Sequence, residues 1–210
     1  GWMIFRNDKS LSVVTAETIV PGEPRAYLLL SGGERLALSS AVKDTVLVER
    51  GACVKVDSTG KVSYTPQESK LTEETVYNTI VVPRSGEYKL ELADGTRVWL
   101  NSESRLTYPV RFTGELREVK MEGEICFDVA RKEEQPFVVR TADLAVKVLG
   151  TLFNMEAYPE DSRVTTTLVR GKVEVAVGDK TQVLQPDQQL SVEAGRFTLK
   201  QVVAEDYIGW

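Results

Sequence analysis

The chain of 210 residues contains no histidine and only two cysteines, Cys53 and Cys126. Without histidine, Ser-His-Asp and Cys-His catalysis are excluded, and so are zinc sites built on imidazole. Two cysteines cannot form a zinc site alone. They are either two buried thiols or, in an oxidising compartment, one disulfide. These absences lower the expectation of an enzyme and leave binding and structural roles open.

Long apolar runs and an excess of basic residues are also missing. No stretch approaches the roughly 18 apolar residues of a membrane-spanning helix, and we expect no signal peptide in these residues. The apolar residues 2–5, followed by charged residues, fit either the last turn of a membrane helix or a first strand. The net charge of -5 and the pI of about 5.1 argue weakly against nucleic acid as a partner.

The pattern that dominates the chain has a period of two, which is typical of half-buried β-strands. In residues 88–92, Tyr88, Leu90 and Leu92 fall on one face, with Lys89 and Glu91 on the other. Turn pairs separate such runs. They are Gly32-Gly33, Asp94-Gly95, Glu122-Gly123, Gly178-Asp179 and Ala194-Gly195. The sequence therefore predicts an all-β fold of successive antiparallel hairpins, stacked in a solenoid-like or sandwich-like manner, with little helix.

An internal repeat relates residues 28–40 (LLLSGGERLALSS) to residues 90–102 (LELADGTRVWLNS). The glycines Gly33 and Gly95 coincide in the two copies. We therefore predict two hairpins of the same register, each closed by a type I′ turn with two residues of positive φ. Asp94 is interpreted as a turn residue, because a metal loop would need further acidic ligands nearby.

A polar stretch at 67–77 (QESKLTEETVY) divides the hairpins into two runs. It fits either a charged linker loop or a short helix. We predict an N-terminal hairpin region at 1–66 and a core β-domain at 77–200. Residues 201–210 would begin the connection to a further C-terminal domain.

Four motifs follow one another in the core region: DGTRVWLN (94–101), YPVRF (108–112), GEICFDVA (123–130) and VLGTLFN (148–154). In this order and at this spacing they resemble the periplasmic domain of FecR-family anti-sigma factors, in particular Bacteroidetes paralogues. The motif residues singled out as structural or partner-binding are Asp94, Gly95, Trp99, Asn101, Tyr108, Arg111, Phe112, Gly150, Thr151, Phe153 and Asn154.

The resemblance implies a signalling relay without catalytic residues or cofactors. In such a relay a periplasmic region reads the signalling domain of a TonB-dependent outer-membrane transporter. A single inner-membrane helix and a cytoplasmic part, neither of them in this sequence, would pass the state to an extracytoplasmic-function (ECF) sigma factor. The resemblance places the present residues in the periplasmic region of that single-pass protein.

Several residues allow both structural and functional interpretations. Trp99 lies on the strand face opposite Val98 and Leu100, where it is either packed under a neighbouring layer or exposed for a partner. Asn101 and Asn154 suit turns, and Gly150 suits a bulge or a close backbone approach.

Two alternative functions remain open from the sequence. A periplasmic carbohydrate-binding module would use Trp99, Tyr108 and Phe112 as a platform. A glycan hydrolase, a much weaker hypothesis, would use the carboxylates of Glu122 and Glu124. A further hypothesis concerns the hairpins, because an unpaired strand edge can receive a strand from a partner.

Overall fold

The computed structural model describes residues 26–38, 45–49, 52–56, 62–66 and 75–209. The interpretations of residues 2–5 and of most of the predicted linker at 67–77 lie outside these ranges. Residue 210 and the side chain of Cys53 also lie outside the described part of the molecule.

The described residues form eighteen β-strands and one short 3-10 helix, which confirms the all-β prediction. The strands are β1 (Ala26–Leu29), β2 (Arg35–Leu38), β3 (Thr45–Glu49), β4 (Ala52–Val56), β5 (Val62–Pro66), β6 (Tyr77–Val81), β7 (Tyr88–Glu91), β8 (Arg97–Leu100), β9 (Arg105–Pro109), β10 (Arg117–Asp128), β11 (Phe137–Arg140), β12 (Ala145–Val148), β13 (Leu152–Ala157), β14 (Arg163–Arg170), β15 (Val173–Val177), β16 (Lys180–Leu184), β17 (Gln188–Glu193) and β18 (Arg196–Gln201). The 3-10 helix is Ala204–Tyr207. Within these ranges we find no helix with the length and apolar character that a bilayer crossing requires.

The strands form two sheets that share β10. Sheet A has the order β2-β1-β6-β9-β10-β11-β12-β15-β16. Sheet B has the order β3-β4-β5-β7-β8-β10-β13-β14-β17-β18. The pairs β10–β11 and β5–β7 are parallel, and the other pairs are antiparallel. From β11 onward, successive hairpins alternate between the sheets, so the chain winds around a common core.

The core lies between the two sheets, because the alternating apolar residues of both sheets belong to one buried cluster. Aromatic rings make the contact across the layers. The centroids of Phe127 in sheet B and Phe137 in sheet A are 6.2 Å apart. Tyr64 in sheet B meets Tyr108 in sheet A edge-on at 5.2 Å. Burying one such side chain stabilises the fold by about 1.5–3 kcal/mol.

Strand β10 passes from sheet A to sheet B at Gly123. Residues 117–122 pair within sheet A, and residues 123–128 pair within sheet B. Gly123 has a φ of 93°, which bends the strand. The Ser104 hydroxyl accepts a hydrogen bond from the Glu124 N–H and donates one to the Glu124 carbonyl. The turn predicted at Glu122-Gly123 is therefore wrong, since both residues lie inside one bent strand.

The two copies of the internal repeat form hairpins of the same register, as predicted. Leu28 lies opposite Leu36 in the first copy, and Leu90 lies opposite Val98 in the second. The shared spacing of apolar residues fixes this register, because a slip by one residue would turn every side chain to the other face.

The type I′ prediction for these hairpins is wrong. Gly33 and Gly95 have positive φ, but the residues before them do not. The N–H of Gly33 donates to the Leu30 carbonyl at 3.0 Å, and the N–H of Gly95 donates to Leu92 in the same way. Each loop is thus three residues long and ends in a glycine of positive φ. Two consecutive positive φ values do occur at Ala194-Gly195.

The first hairpins continue the sheets of the core region. Strand β1 pairs with β6, and β5 pairs with β7. A buried polar contact also links the two runs, because Asn78 Nδ2 donates to the Tyr64 hydroxyl at 3.1 Å and Asn78 Oδ1 accepts from the Ser31 N–H. The domain boundaries at 66, 77 and 200 stay predictions.

Substitution of Gly123 by alanine should destabilise the fold more than substitution of Gly95. A Cβ at Gly123 would lie 2.6 Å from Ser104 Cα, whereas a Cβ at Gly95 meets nothing within 4 Å. Positive φ alone costs alanine about 1–2 kcal/mol, and the clash adds about 1–3 kcal/mol. Urea unfolding of both variants measures the difference. Equal losses of stability would show that the close approach to Ser104 adds nothing to the cost of the positive φ.

Candidate functional site

The buried guanidinium of Arg117 organises one group of motif residues. Its side chain is 0% exposed and lies 2.9 Å from Asp94 Oδ2. The remaining donors reach four backbone carbonyls, those of Gln135, Ala130, Lys132 and Leu149. All five N–H donors of the guanidinium are therefore satisfied, which a buried cation requires. We call Arg117, Asp94, Thr96 and these carbonyls the Arg117 cluster.

Asp94 does more than form a turn. Its carboxylate accepts hydrogen bonds from the N–H and the hydroxyl of Thr96, at 3.0 and 2.7 Å, as well as from Arg117. The Thr96 hydroxyl also accepts from the Ala130 N–H at 3.1 Å. The β7–β8 turn is thereby fixed to the start of β10 and to the loop after it. The following Gly95 provides the positive φ that closes this turn.

Gly150 and Thr151 lie beside the same cluster. A Cβ on Gly150 would lie 2.8 Å from Arg131 Cα, so the predicted close backbone approach is present there. The Thr151 carbonyl accepts from the Val129 N–H at 2.9 Å, and its hydroxyl donates to the Lys172 carbonyl at 3.0 Å. Both residues bring together the loops that supply carbonyls to Arg117.

A second group of motif residues lies on the outer face of sheet B. Residues paired across neighbouring strands form a row, which we call the Trp99 row: Lys89, Trp99, Cys126, Asn154, Thr167, Gln189 and Lys200. Trp99 is half-buried, and the Arg97 guanidinium lies 5.7 Å from its ring centroid. The Asp128 carboxylate on the same face pairs with Arg97 at 2.7 Å and with Arg170 at 3.1 Å.

Glu124 joins the two motif asparagines on this face. Asn101 Nδ2 donates to Glu124 Oε1 at 2.8 Å, and Asn154 Nδ2 donates to Glu124 Oε2 at 3.1 Å. Asn101 also accepts from the Ser102 N–H, which confirms its predicted role in a turn. The turn prediction for Asn154 is wrong, because this residue lies inside β13. The Oδ1 atom of Asn154 is buried. Among the described residues it is the one buried side-chain oxygen or nitrogen without a hydrogen-bond partner.

Burial and like charges shape the acid–base properties of the face. Cys126 carries a free thiol, so the disulfide alternative is wrong. Burial, followed by the charges of Asp128 and Glu124, raises its pKa to about 12, and the thiol is a poor nucleophile at neutral pH. Burial and the charges of Glu124 and Asp161 raise the pKa of Glu156, which lies opposite Glu124.

The aromatic residues proposed as a sugar platform do not share a surface. Tyr108 is fully buried, and Phe112 packs edge-on against Phe137 at 5.8 Å. Trp99 is on the outer face of sheet B. Phe153, the remaining motif aromatic, is fully buried and stacked on Phe127 at 5.2 Å. The carbohydrate hypothesis therefore lacks the platform on which it was based.

The other motif and candidate residues lie apart. Arg111 is half-buried in the loop after β9. Glu122 is exposed on sheet A beside Arg105, whereas the carboxylate of Glu124 on sheet B is bound by the two motif asparagines. Within the described ranges, His, Cys, Asp and Glu side chains form no group of three or more that could hold a metal ion.

Residues 78–174 match the family model described as FecR protein. These residues, which we call the FecR segment, belong to the FecR family. The FecR segment contains the Arg117 cluster and the central part of the Trp99 row. Its family is regulatory rather than catalytic and is typically membrane-anchored.

Two solved structures are similar to this chain. Both are crystal structures of a "putative anti-sigma factor" from Parabacteroides distasonis ATCC 8503, at 2.50 and 1.65 Å resolution. The first is 38% identical over 64% of each chain, with a TM-score of 0.62. The second is 39% identical over 63% of each chain, with a TM-score of 0.61. The similarity thus spans less than two thirds of either solved chain. No curated protein matches the chain.

Removing one partner of the buried Arg117–Asp94 pair should strongly destabilise the FecR segment. Replacing Asp94 by alanine leaves an unpaired buried cation, which costs about 3–5 kcal/mol. A double-mutant cycle with Arg117→Met should show strong coupling, because the double variant removes both charges. Glu118→Gln at the exposed pair with Arg140 is the control and should cost less than about 1 kcal/mol. Additive losses in urea unfolding would refute the coupling.

Glu156→Gln should stabilise the protein at pH 7 but not at about pH 3. The raised pKa means that the folded state binds the Glu156 proton more tightly than the unfolded chain does. Ionisation at neutral pH therefore opposes folding, and the penalty disappears where both states are protonated. Thermal unfolding at the two pH values measures the effect, with the exposed Glu174→Gln as control. Stabilisation that persists at low pH would exclude charge as the cause.

Proposed function

We propose that this chain is the periplasmic sensor and transducer region of a transmembrane anti-sigma factor. It relays the state of a TonB-dependent outer-membrane transporter to an ECF sigma factor. The observation that carries the proposal is the FecR segment at 78–174, supported by the similarity to structures named as anti-sigma factors. The transporter and the sigma factor come from the resemblance of the motifs to those of FecR-family relays.

The shared strand β10 gives the relay a physical basis. It hydrogen-bonds to β9 and β11 in sheet A and to β8 and β13 in sheet B. A partner that shifts β10 on one sheet therefore acts on the strand pairs of the other. Binding would shift an equilibrium between two arrangements of the sandwich, and the membrane helix would carry the change inward.

The central part of the Trp99 row is the first surface to test for the transporter contact. Arg97 lies beside Trp99 on the same face of sheet B, and both residue types are common at the energetic centres of protein interfaces. The same face carries Asp128 and Glu124, whose hydrogen bonds hold their neighbours in place. The face is thus ordered before binding, which lowers the entropic cost of association.

The proposal is tested by capture with the N-terminal signalling domains of candidate TonB-dependent transporters. We expect the 210-residue chain to capture one of these domains and Trp99→Ala to weaken capture at least tenfold. Tyr77→Ala is the matched control, because Tyr77 is an exposed aromatic away from the Trp99 row. A promoter that depends on the cognate ECF sigma factor reports the same loss in cells.

Two outcomes would change the conclusion. Capture that Trp99→Ala leaves unchanged would move the contact to another surface of the chain. Failure of the folded chain to capture any signalling domain, with no effect of its deletion on the promoter, would overturn the proposed relay.

A further inference from the structure

Strand β18 forms the end of sheet B. Among the described residues it pairs with β17 alone, in an uninterrupted register from Gln188↔Gln201 to Glu193↔Arg196. The strand is six residues long and has neither proline nor bulge. Proline, bulges and charged side chains are the features that usually prevent sheet edges from pairing with other chains, and of these β18 has only the charges of Arg196 and Lys200.

The open side of β18 presents alternate backbone groups. The two-residue turn at Ala194-Gly195 has positive φ at both positions, so Glu193 and Arg196 form the hydrogen-bonded pair that closes the hairpin. In an antiparallel ladder every second residue then bonds to β17. The N–H and C=O groups of Phe197, Leu199 and Gln201 therefore point away from β17.

The same residues leave part of the core layer uncovered. Phe197 and Leu199 share the inner face with their β17 partners Val192 and Leu190. Leu190 is 1% exposed, but Leu199 is 43% exposed. Strand β16, which lies at one end of sheet A, differs in the burial of its core residue, because Leu184 is fully buried. An added strand beside β18 would cover apolar surface as well as satisfy backbone groups.

The outer face of β18 is basic. It carries Arg196 and Lys200, and β18 itself contains no acidic residue. Within the hairpin, Arg196 faces Glu193, while Lys200 faces Gln189. Antiparallel pairing of two copies centred on Thr198 would place Arg196 opposite Lys200, and like charges in that position are destabilising. The charges thus disfavour a second copy and favour an acidic strand.

We propose that the open edge of β18 binds an extended segment of a protein partner, which adds a strand to sheet B. Its apolar residues alternate with acidic ones, so that the apolar residues cover Phe197 and Leu199 and the acidic residues lie beside Arg196 and Lys200. The inference goes beyond the proposed relay. Its test uses no transporter domain, so either proposal can fail without the other.

Fluorescence anisotropy with synthetic peptides tests the charge requirement. The probe is a labelled, end-blocked peptide of sequence EVEIEVE, and the control peptide has lysine in place of each glutamate. We expect the acidic peptide to bind at least tenfold more tightly than the lysine peptide, with an advantage that falls as salt is added. Equal binding of the two peptides would overturn the proposal.

Reversing the charges of β18 should reverse its preference for the acidic peptide over the lysine peptide. The variant R196E/K200E should bind the lysine peptide more tightly than the acidic one. The matched control reverses two basic residues elsewhere, Arg84→Glu with Lys172→Glu, and should keep the original preference. If the edge variant keeps it as well while remaining folded, the peptide binds elsewhere.

Methylated peptides test strand pairing without altering the protein. An N-methyl group on alternate residues blocks one edge of an extended peptide and leaves the other edge free. We expect one alternate set to abolish binding and the other set to leave it within about twofold, since only one edge pairs with β18. Binding that survives both sets would exclude strand addition.

Discussion

The ion pair between Arg117 and Asp94 is the constraint on which the FecR segment depends. A cation without access to water must find a carboxylate and a full set of acceptors, or its burial opposes folding. Here the acceptors come from loops far apart in sequence, at Ala130, Gln135 and Leu149. The turn, the first residue of β10 and these loops can therefore form only together. The Asp94-Gly95 motif, which resembles an ordinary hairpin turn, thus supplies the carboxylate of this buried ion pair.

Strand β10 extends the same cooperativity across the molecule. Its first residues contribute Arg117 to the buried cluster, and its last residues carry Cys126 and Asp128 on the outer face of sheet B. Because both sheets hydrogen-bond to this strand, neither sheet can be rearranged independently of the other. Gly123 allows the strand to turn between the layers, and Ser104 holds the two sides of the bend. Stability and signal transmission would thus use one element.

The period of two and the internal repeat were sufficient to predict strands, register and fold class, because both follow from which face is buried. The loop lengths could not be predicted from these patterns, because Asp-Gly occurs equally well in a type I′ turn and in a longer loop. Arg117 was missed although it precedes Val119 and Met121 in the buried phase of its strand. That phase was the available signal. The partners of Arg117 other than Asp94 could not be predicted from the sequence, because they are backbone carbonyls brought together by folding. Asn154 was placed in a turn because asparagine suits turns, yet Glu124 holds its side chain within a strand.

The alternation of hairpins between the sheets determines how related chains can differ in length. The hairpins β11–β12 and β13–β14 pair with β10, the hairpins β15–β16 and β17–β18 then pair with the preceding hairpin of their own sheet, and the core lies between the two stacks. Two hairpins inserted in tandem would lengthen both layers together and leave the existing strand pairs unchanged. Related chains could therefore differ by whole hairpins along one axis while the Arg117 cluster kept its geometry, as in other modular repeat folds.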